Sequence, residues 1–224
     1  MKAVFFSDFD GTITQRDVIE AVMSQFAPPQ WREIHSSLME GKLDIDLGIR
    51  MMFNLIPAGK KDEIIKWVKD NIKVREGFGD LLDFLNKKGI PFVILSGGVD
   101  FYIYPIIDKY LNKITKVYSN RLFVNQGKLD VKFIYRCGRN CRRNCGVCKP
   151  YVIQTFYSDY KIKMYAGDGI TDLDASQYND IIFSTGGLTE YLGKINLRGK
   201  RVYRFNTFND VINAIREYGE GIIL

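Results

Sequence analysis

Four aspartates are spaced so that they could act together on a charged substrate. Asp8 and Asp10 follow an apolar run at residues 2–7, and Asp168 and Asp172 follow a later apolar run. Two ionised carboxylates about 5 Å apart repel each other by roughly 3 kcal/mol at an effective dielectric constant near 20. A divalent cation or a shared proton has to offset that repulsion. Because the donors are carboxylate oxygens and the chain has one histidine, the set favours octahedral Mg²⁺.

Two further elements are suited to binding an anion. Ser96, Gly97 and Gly98 offer a hydroxyl and backbone N–H groups at the start of a predicted helix, which suits a phosphate group. Lys149 precedes another predicted helix, and its ammonium group could neutralise both a phosphate and a carboxylate nucleophile. Together with magnesium and the carboxylates, these groups form a set typical of phosphoryl transfer, where positioning and charge stabilisation do most of the catalysis.

Short apolar runs and helical patterns alternate along most of the chain. The apolar runs, each ending at a glycine-containing loop, lie at residues 2–7, 91–95, 162–166 and 181–184. Helical periodicity lies between or after them, at residues 79–88, 100–112, 150–157, 171–178 and 207–218. This alternation predicts an α/β fold with a parallel sheet and a functional site at the carboxyl ends of its strands.

Residues 15–76 interrupt the alternation with amphipathic stretches and no strand pattern. The stretches lie near residues 17–26, 29–39, 44–55 and 60–72. A helical insertion after the first strand would lie over the strand ends. The pattern therefore predicts a helical cap at residues 15–76 and a core built from residues 1–14 and 77–224.

The net charge of +6 in this 224-residue chain is a local feature. Residues 136–149 contain five basic residues and no acidic one, which leaves 27 basic and 26 acidic residues elsewhere. A diffuse basic face is therefore not predicted, and no nucleic-acid partner is expected.

No apolar run approaches the roughly 20 residues of a membrane span, and Asp8 comes too early for a signal peptide. We expect a cytoplasmic protein with no membrane partner. The single histidine, His35, excludes any mechanism that needs two.

The motifs resemble, in order and across the whole chain, those of phosphatases of the haloacid dehalogenase superfamily. The resemblance rests on Asp8-Phe9-Asp10-Gly11-Thr12, Ser96, Lys149 and Gly167-Asp168-Gly169 followed by Asp172. It implies a Rossmann-like parallel-sheet core with helices on both faces, plus a small all-helical cap of type C1.

The same resemblance implies a role for each motif residue. Asp8 would be the nucleophile that forms an aspartyl-phosphate, and Asp10 would act as general acid and then as general base. Ser96 and Lys149 would hold the phosphate. The resemblance implies Mg²⁺ bound by Asp8, Asp168 and the backbone carbonyl of Asp10, with Asp172 in support.

The substrate is expected from resemblances within the superfamily. The helical insertion and Arg75-Glu76-Gly77-Phe78 are similar to those of phosphoserine phosphatases. Those enzymes have a glutamate that binds the ammonium group of the substrate, and Asp17 occupies its position here. Residues 26–31, the Gly-Gly-x-Asp-Phe pattern at 97–101 and the Cys-rich run before Lys149 more closely resemble a family of methionine-salvage phosphatases. Those act on 2-hydroxy-3-keto-5-methylthiopentenyl-1-phosphate. The substrate-binding residues expected on this basis are Phe9, Asp17, Arg50, Gly97 and Gly98. Phosphoserine, phosphocholine and sugar phosphates remain as alternative substrates.

Four cysteines lie in a basic loop at residues 137–148, namely Cys137, Cys141, Cys145 and Cys148. Their spacing falls within the range of zinc knuckles, but only three residues separate the two pairs. Structural zinc, reduced thiols and a disulfide formed in air all remain open.

Two other functions also remain as hypotheses: a nucleic-acid-binding module that uses this loop, and a phosphotransferase that passes the phosphoryl group to an alcohol. A homodimer is a further hypothesis.

Overall fold

A central sheet organises the protein. The computed structural model describes residues 2–138 and 146–221. Within these ranges the sheet has seven strands, in chain order β1 (Ala3–Ser7), β2 (Phe92–Val99), β3 (Lys116–Asn125), β4 (Lys128–Lys132), β5 (Ile162–Gly167), β6 (Ile181–Ser184) and β7 (Arg201–Arg204). The predicted α/β fold is confirmed.

The order of the strands fixes where a site can form. The order is β4-β3-β2-β1-β5-β6-β7, and every neighbouring pair is parallel except β3 with β4. The chain therefore adds β2 and β3 on one side of β1 and then crosses to add β5 on the other side. In open α/β sheets a crevice opens at such a switch point, outside the carboxyl ends of the strands. Here the switch point lies at the end of β1.

Apolar residues on both faces of β1 explain its central position. All five residues of β1 are buried. Phe5 belongs to one core cluster, on the face covered by Phe78 and Phe208. Phe6 belongs to the other, with Val152 and Ile153 on the opposite face. A strand whose alternate side chains enter two different cores must be covered on both faces, as in other parallel sheets.

Helices connect the strands, and all of them except α9 lie where the sequence pattern predicts helical structure. They are α1 (Val18–Phe26), α2 (Trp31–Met39), α3 (Ile45–Asn54), α4 (Lys61–Asn71), α5 (Phe78–Lys87), α6 (Asp100–Ile107), α7 (Lys149–Phe156), α8 (Ile170–Ser176), α9 (Leu188–Leu192) and α10 (Phe208–Gly221). Short 3-10 helices cover Ala58–Lys60 and Asp108–Lys113. Among the described residues, no helix combines the length and the apolar content that crossing a membrane requires.

The two ends of the helical insertion lie side by side. Thr14 forms an isolated antiparallel bridge with Val74, and the N–H of Arg75 donates to the carbonyl of Ile13 at 2.7 Å. Helices α1 to α4 all lie between these paired ends. An insertion whose ends meet can be added to a core without altering the strand order. The division into a cap at residues 15–76 and a core at residues 1–14 and 77–224 stays a prediction.

The structure adds strands that the sequence pattern did not predict. Strands β3 and β4 form an antiparallel hairpin, and β7 is a short edge strand with mostly exposed side chains. Polar and charged residues interrupt the apolar ones in these strands, so they lack the continuous apolar run that marked the buried strands. The hairpin also contacts the insertion, because the N–H of Ala58 donates to the carbonyl of Gly127 at 2.8 Å.

Candidate active site

Asp8 and Lys149 form a buried ion pair at the carboxyl end of β1. Lys149 Nζ lies 2.6 Å from Asp8 Oδ1 and 2.5 Å from Asp172 Oδ1. Burial by itself would lower the pKa of Lys149, but the charges of Asp172 and Asp8 outweigh that effect and raise it. Burial raises the pKa of Asp8 well above its usual value, and the charge of Lys149 opposes that rise. The charge of the lysine therefore favours the ionised form of Asp8, against the effect of burial.

Asp172 supports this pair and has a donor at both of its oxygens. Its Oδ1 accepts from Lys149 and from the Tyr165 hydroxyl, each at 2.5 Å, and its Oδ2 accepts from the N–H groups of Asp168 and Gly169 at 3.0 Å. All of these donors lie on β5, on α7 or at the turn between β5 and α8. Asp172 therefore fixes Lys149 relative to the end of β5.

Asp168 completes a cluster of three carboxylates. One oxygen from each of Asp8, Asp168 and Asp172 lies within 4.8 Å of the others. The Thr12 hydroxyl donates to Asp168 Oδ1 at 3.1 Å. Burial, followed by the charge of Asp172, raises the pKa of Asp168 to about 6. Among the described residues this is the one cluster of its kind.

The donor set of this cluster fits a hard divalent cation. Three carboxylates face one ammonium group, which leaves two negative charges uncompensated if all three are ionised. Both oxygens of Asp172 already accept hydrogen bonds, so Asp8 and Asp168 are the carboxylates best able to bind a metal directly. Oxygen donors and a net charge of −2 suit Mg²⁺.

Asp10 lies beside the cluster but makes different contacts. Its Oδ1 accepts from the N–H of Val18 at 3.3 Å. Its Oδ2 accepts from the Tyr102 hydroxyl at 3.0 Å and from Ser96 Oγ at 3.4 Å. Burial, followed by the charge of Asp17, raises the pKa of Asp10 to about 8. A carboxyl group with such a pKa can hold a proton near neutral pH, as a general acid must.

Ser96, Gly97 and Gly98 lie within strand β2 rather than in a loop. The pairing of β2 with β3 shifts register between Leu95 and Val99, so these three residues leave the regular ladder. The N–H of Gly98 donates to Ser96 Oγ at 2.9 Å. A Cβ at Gly98 would overlap both Tyr102 and Asp10, so only glycine fits there. The irregularity brings the Ser96 hydroxyl to the side of Asp10.

Arg75 holds the loop that follows β1. Its Nε donates to the carbonyl of Thr12 at 2.7 Å, its Nη2 to the carbonyl of Gly11 at 2.5 Å and its Nη1 to the carbonyl of Asn206 at 2.9 Å. Gly11 itself has a φ of 78°, and a Cβ there would overlap the Asp168 carboxylate. The loop therefore needs both a glycine and a guanidinium to keep its position.

Three of the expected substrate-binding residues have other contacts. The Phe9 side chain is completely buried in the core, so only its backbone could reach a substrate. Asp17 caps α1, with Oδ1 accepting from the N–H of Glu20 at 2.9 Å. Arg50 binds Asp130 of β4 in a bidentate pair, at 2.9 Å for Nε to Oδ1 and 2.8 Å for Nη2 to Oδ2. Their roles in substrate binding stay predictions.

The cysteine hypothesis falls partly outside the described residues. Cys137 is exposed and Cys148 is buried at the start of α7, whereas Cys141 and Cys145 lie outside the described ranges. The cluster found in the described residues contains carboxylates only. A zinc site therefore has no support here.

Four residues make contacts at this site that the sequence analysis did not predict. They are Thr12, Arg75, Tyr102 and Tyr165, and each contacts a predicted site residue or its loop. Tyr102 and Tyr165 lie in apolar stretches, where a tyrosine is usually a packing residue. The sequence indicates their role only weakly: Tyr102 follows Ser96-Gly97-Gly98 by one helical turn, and Tyr165 precedes Asp168 by three residues.

Comparisons with known proteins agree with this geometry. Residues 5–177 match the family model described as haloacid dehalogenase-like hydrolase. A 2-hydroxy-3-keto-5-methylthiopentenyl-1-phosphate phosphatase of Bacillus cytotoxicus is 33% identical over 220 residues, covering 98% of this chain and 99% of the relative. A phosphatase of the same name from Geobacillus thermodenitrificans is 33% identical over 213 residues, covering 95% of each chain.

A solved structure shows the same fold. A substrate-bound phosphoserine phosphatase complex superposes with a TM-score of 0.69 at 19% identity, covering 96% of this chain and 98% of the other. The family model spans more than half of the chain, and the two relatives named above match it over nearly their whole length. The chain therefore belongs to the haloacid dehalogenase-like hydrolases and is a phosphatase.

Proposed function

We propose that this phosphatase hydrolyses the phosphate monoester of a small metabolite through an aspartyl-phosphate on Asp8. The observation that carries the proposal is the buried pair of Asp8 and Lys149 at the switch point of the sheet, beside Asp168 and Asp172. Asp8 attacks phosphorus, a bond forms between its oxygen and phosphorus, and the ester oxygen leaves with a proton from Asp10. Asp10 then takes a proton from water, which attacks phosphorus, frees inorganic phosphate and restores the Asp8 carboxylate.

The other site residues would hold the phosphate. Lys149 and Ser96 Oγ would bind phosphate oxygens, and Lys149 would also keep Asp8 ionised. Asp8 and Asp168, with the Asp10 carbonyl and with Asp172 in support, would hold Mg²⁺. When bound, the metal supplies positive charge that offsets the repulsion between the Asp8 carboxylate and the phosphate.

Removal of divalent cations should stop phosphate release, and Mg²⁺ should restore it. Added Mg²⁺ should also raise the Tm of the chelated protein, because it binds the folded cluster only. At a free concentration about 100 times Kd, such binding stabilises the folded state by about 2.7 kcal/mol. Thermal unfolding with and without Mg²⁺ measures this directly.

The Asp168→Asn variant is the control for that measurement. It should lose most of the Mg²⁺-dependent rise in Tm, because it lacks one of the two best-placed carboxylates. Activity that persists after exhaustive chelation and dialysis would contradict the metal site.

We propose 2-hydroxy-3-keto-5-methylthiopentenyl-1-phosphate as the substrate. The names of the curated relatives support this choice. So do two contacts: Asp17 uses an oxygen to cap α1, and Arg50 is already paired with Asp130. A substrate with an ammonium and a carboxylate, such as phosphoserine, would have to compete for these groups. A substrate with carbonyl and enol oxygens carries neither charge.

The test of the substrate is the ratio of kcat/KM for this compound and for phosphoserine in one buffer with Mg²⁺. The ammonium or carboxylate of phosphoserine would be left without a partner, and such a polar group costs about 1–3 kcal/mol. We therefore expect kcat/KM to be roughly ten- to a hundredfold higher for the methylthio compound. A tenfold preference for phosphoserine would overturn the substrate while leaving the aspartyl-phosphate mechanism in place.

A further inference from the structure

Tyr102 is a buried polar residue that the proposed mechanism does not use. It lies in the first turn of α6, with no exposed surface, between the apolar residues Phe101 and Ile103. A buried tyrosine hydroxyl generally has a hydrogen-bond partner. Here the partner is Oδ2 of Asp10, at 3.0 Å. Burial and the charge of Asp10 raise the pKa of Tyr102 well above its usual value, so the hydroxyl stays neutral.

The contacts of Asp10 distinguish its two oxygens. Oδ1 accepts from a backbone N–H, that of Val18, which can only donate. Oδ2 faces two hydroxyls, those of Tyr102 and Ser96, which can either donate or accept. The contact with Tyr102 can therefore persist whether or not Oδ2 carries the proton that passes to the leaving group. Oδ2 also lies on the side of Ser96, where the phosphate would bind.

The surroundings of Tyr102 hold its hydroxyl in one position. Its ring contacts Phe101 at 5.6 Å and Phe9 at 6.4 Å between centroids. Gly98 packs so closely that no side chain could be added between it and the hydroxyl. Asp100, the first residue of α6, accepts from the N–H of Leu122 and fixes the start of the helix. Packing in the core thus sets the position of the Tyr102 hydroxyl, and that position does not depend on a bound substrate.

We propose that Tyr102 is a positioning residue that holds Oδ2 of Asp10 beside Ser96, where Asp10 can give its proton to the leaving oxygen of the substrate. The inference rests on the proposed role of Asp10 and extends it. Without the Tyr102 hydroxyl, Asp10 would keep its contact with Val18 but could turn Oδ2 away from the leaving group. Transfer of the proton to the leaving oxygen, and from the attacking water, would then slow, whereas binding of the phosphate would not change.

The test compares two leaving groups in the Tyr102→Phe variant. An alkyl phosphate, here the proposed substrate, needs a proton on its leaving oxygen, whereas 4-nitrophenyl phosphate departs as a stable anion. We expect kcat for the alkyl phosphate to fall about ten- to a hundredfold, the effect of losing one hydrogen bond to the negative charge that develops on Asp10 as its proton leaves. For 4-nitrophenyl phosphate the rate of the nitrophenol burst, which reports formation of the aspartyl-phosphate, should change by less than about twofold.

Tyr157→Phe is the matched control, because it also removes a hydroxyl from a largely buried tyrosine. The Tyr157 hydroxyl contacts that of Tyr118 at 3.4 Å, in the other core cluster. This variant should lower kcat for neither compound. An equal fall in kcat for the alkyl phosphate and in the burst rate for 4-nitrophenyl phosphate in Tyr102→Phe, or no fall in either, would overturn the proposal. A wild-type protein that hydrolyses neither compound would instead contradict the proposed function.

Discussion

Replacing Asp8 with asparagine should abolish phosphate release while the chain stays folded. An amide is too weak a nucleophile to attack phosphorus, so kcat should fall by at least about 10⁴-fold. The fold should tolerate the change, because the amide oxygen can still accept from Lys149 where Asp8 Oδ1 does at 2.6 Å. The substitution also removes one charge from a site where Asp168, Asp172 and Asp10 all repel Asp8.

The measurement is phosphate release together with the Tm of the same sample. We expect the Tm of Asp8→Asn to equal or exceed that of the wild type, since the repulsion among buried carboxylates decreases. Asp83→Asn changes an exposed carboxylate that pairs with Lys113, and it should leave both quantities unchanged. A residual rate near that of the wild type in Asp8→Asn would move the nucleophile to another residue.

The position of Asp8 could be predicted because local and global signals agree there. A fully apolar run predicts a central strand, and a strand in the middle of a doubly wound sheet ends at the switch point. Asp168 follows a second buried strand, β5, which pairs with β1 over its whole length. The sequence therefore contains the information that brings these carboxylates together.

The partners of the site residues are harder to predict, because they depend on packing between distant segments. Arg50 shows this: 80 residues separate it from Asp130, which lies in a hairpin that the apolar pattern did not predict. Asp130 is almost completely buried, and its pairing with Arg50 lowers its pKa to about 2. An arginine next to a buried carboxylate has a structural partner that no local spacing rule reveals.

Tyrosines in apolar stretches present the same difficulty. Tyr102 and Tyr165 each lie among buried apolar residues of their own element, so the sequence predicts packing and nothing more. Their hydroxyls acquire a role only because the fold brings Asp10 and Asp172 to them. Tertiary structure thus brings hydroxyl groups into hydrogen bonds with charged residues that the sequence already indicates.

Replacing Asp10 with asparagine should slow hydrolysis of an alkyl phosphate by about 10²–10⁴-fold, the usual loss for a general acid and base. The geometry makes this substitution a clean test. The asparagine oxygen can accept from the N–H of Val18, and its NH₂ group can donate to the hydroxyl of Tyr102, so the side chain keeps its place. What disappears is the transferable proton.

Two comparisons separate loss of the proton from loss of structure. Formation of the aspartyl-phosphate from 4-nitrophenyl phosphate, measured as the burst of nitrophenol, should be nearly unchanged in Asp10→Asn, because that leaving group needs no acid. The later attack of water should be slow, since it needs the base. With the alkyl phosphate, adding Tyr102→Phe to Asp10→Asn should cost almost nothing further, because a residue that acts through Asp10 has no effect once the acid is gone. If the two losses multiply instead, Tyr102 acts independently of Asp10, and its hydroxyl must contact the substrate or support the fold in another way.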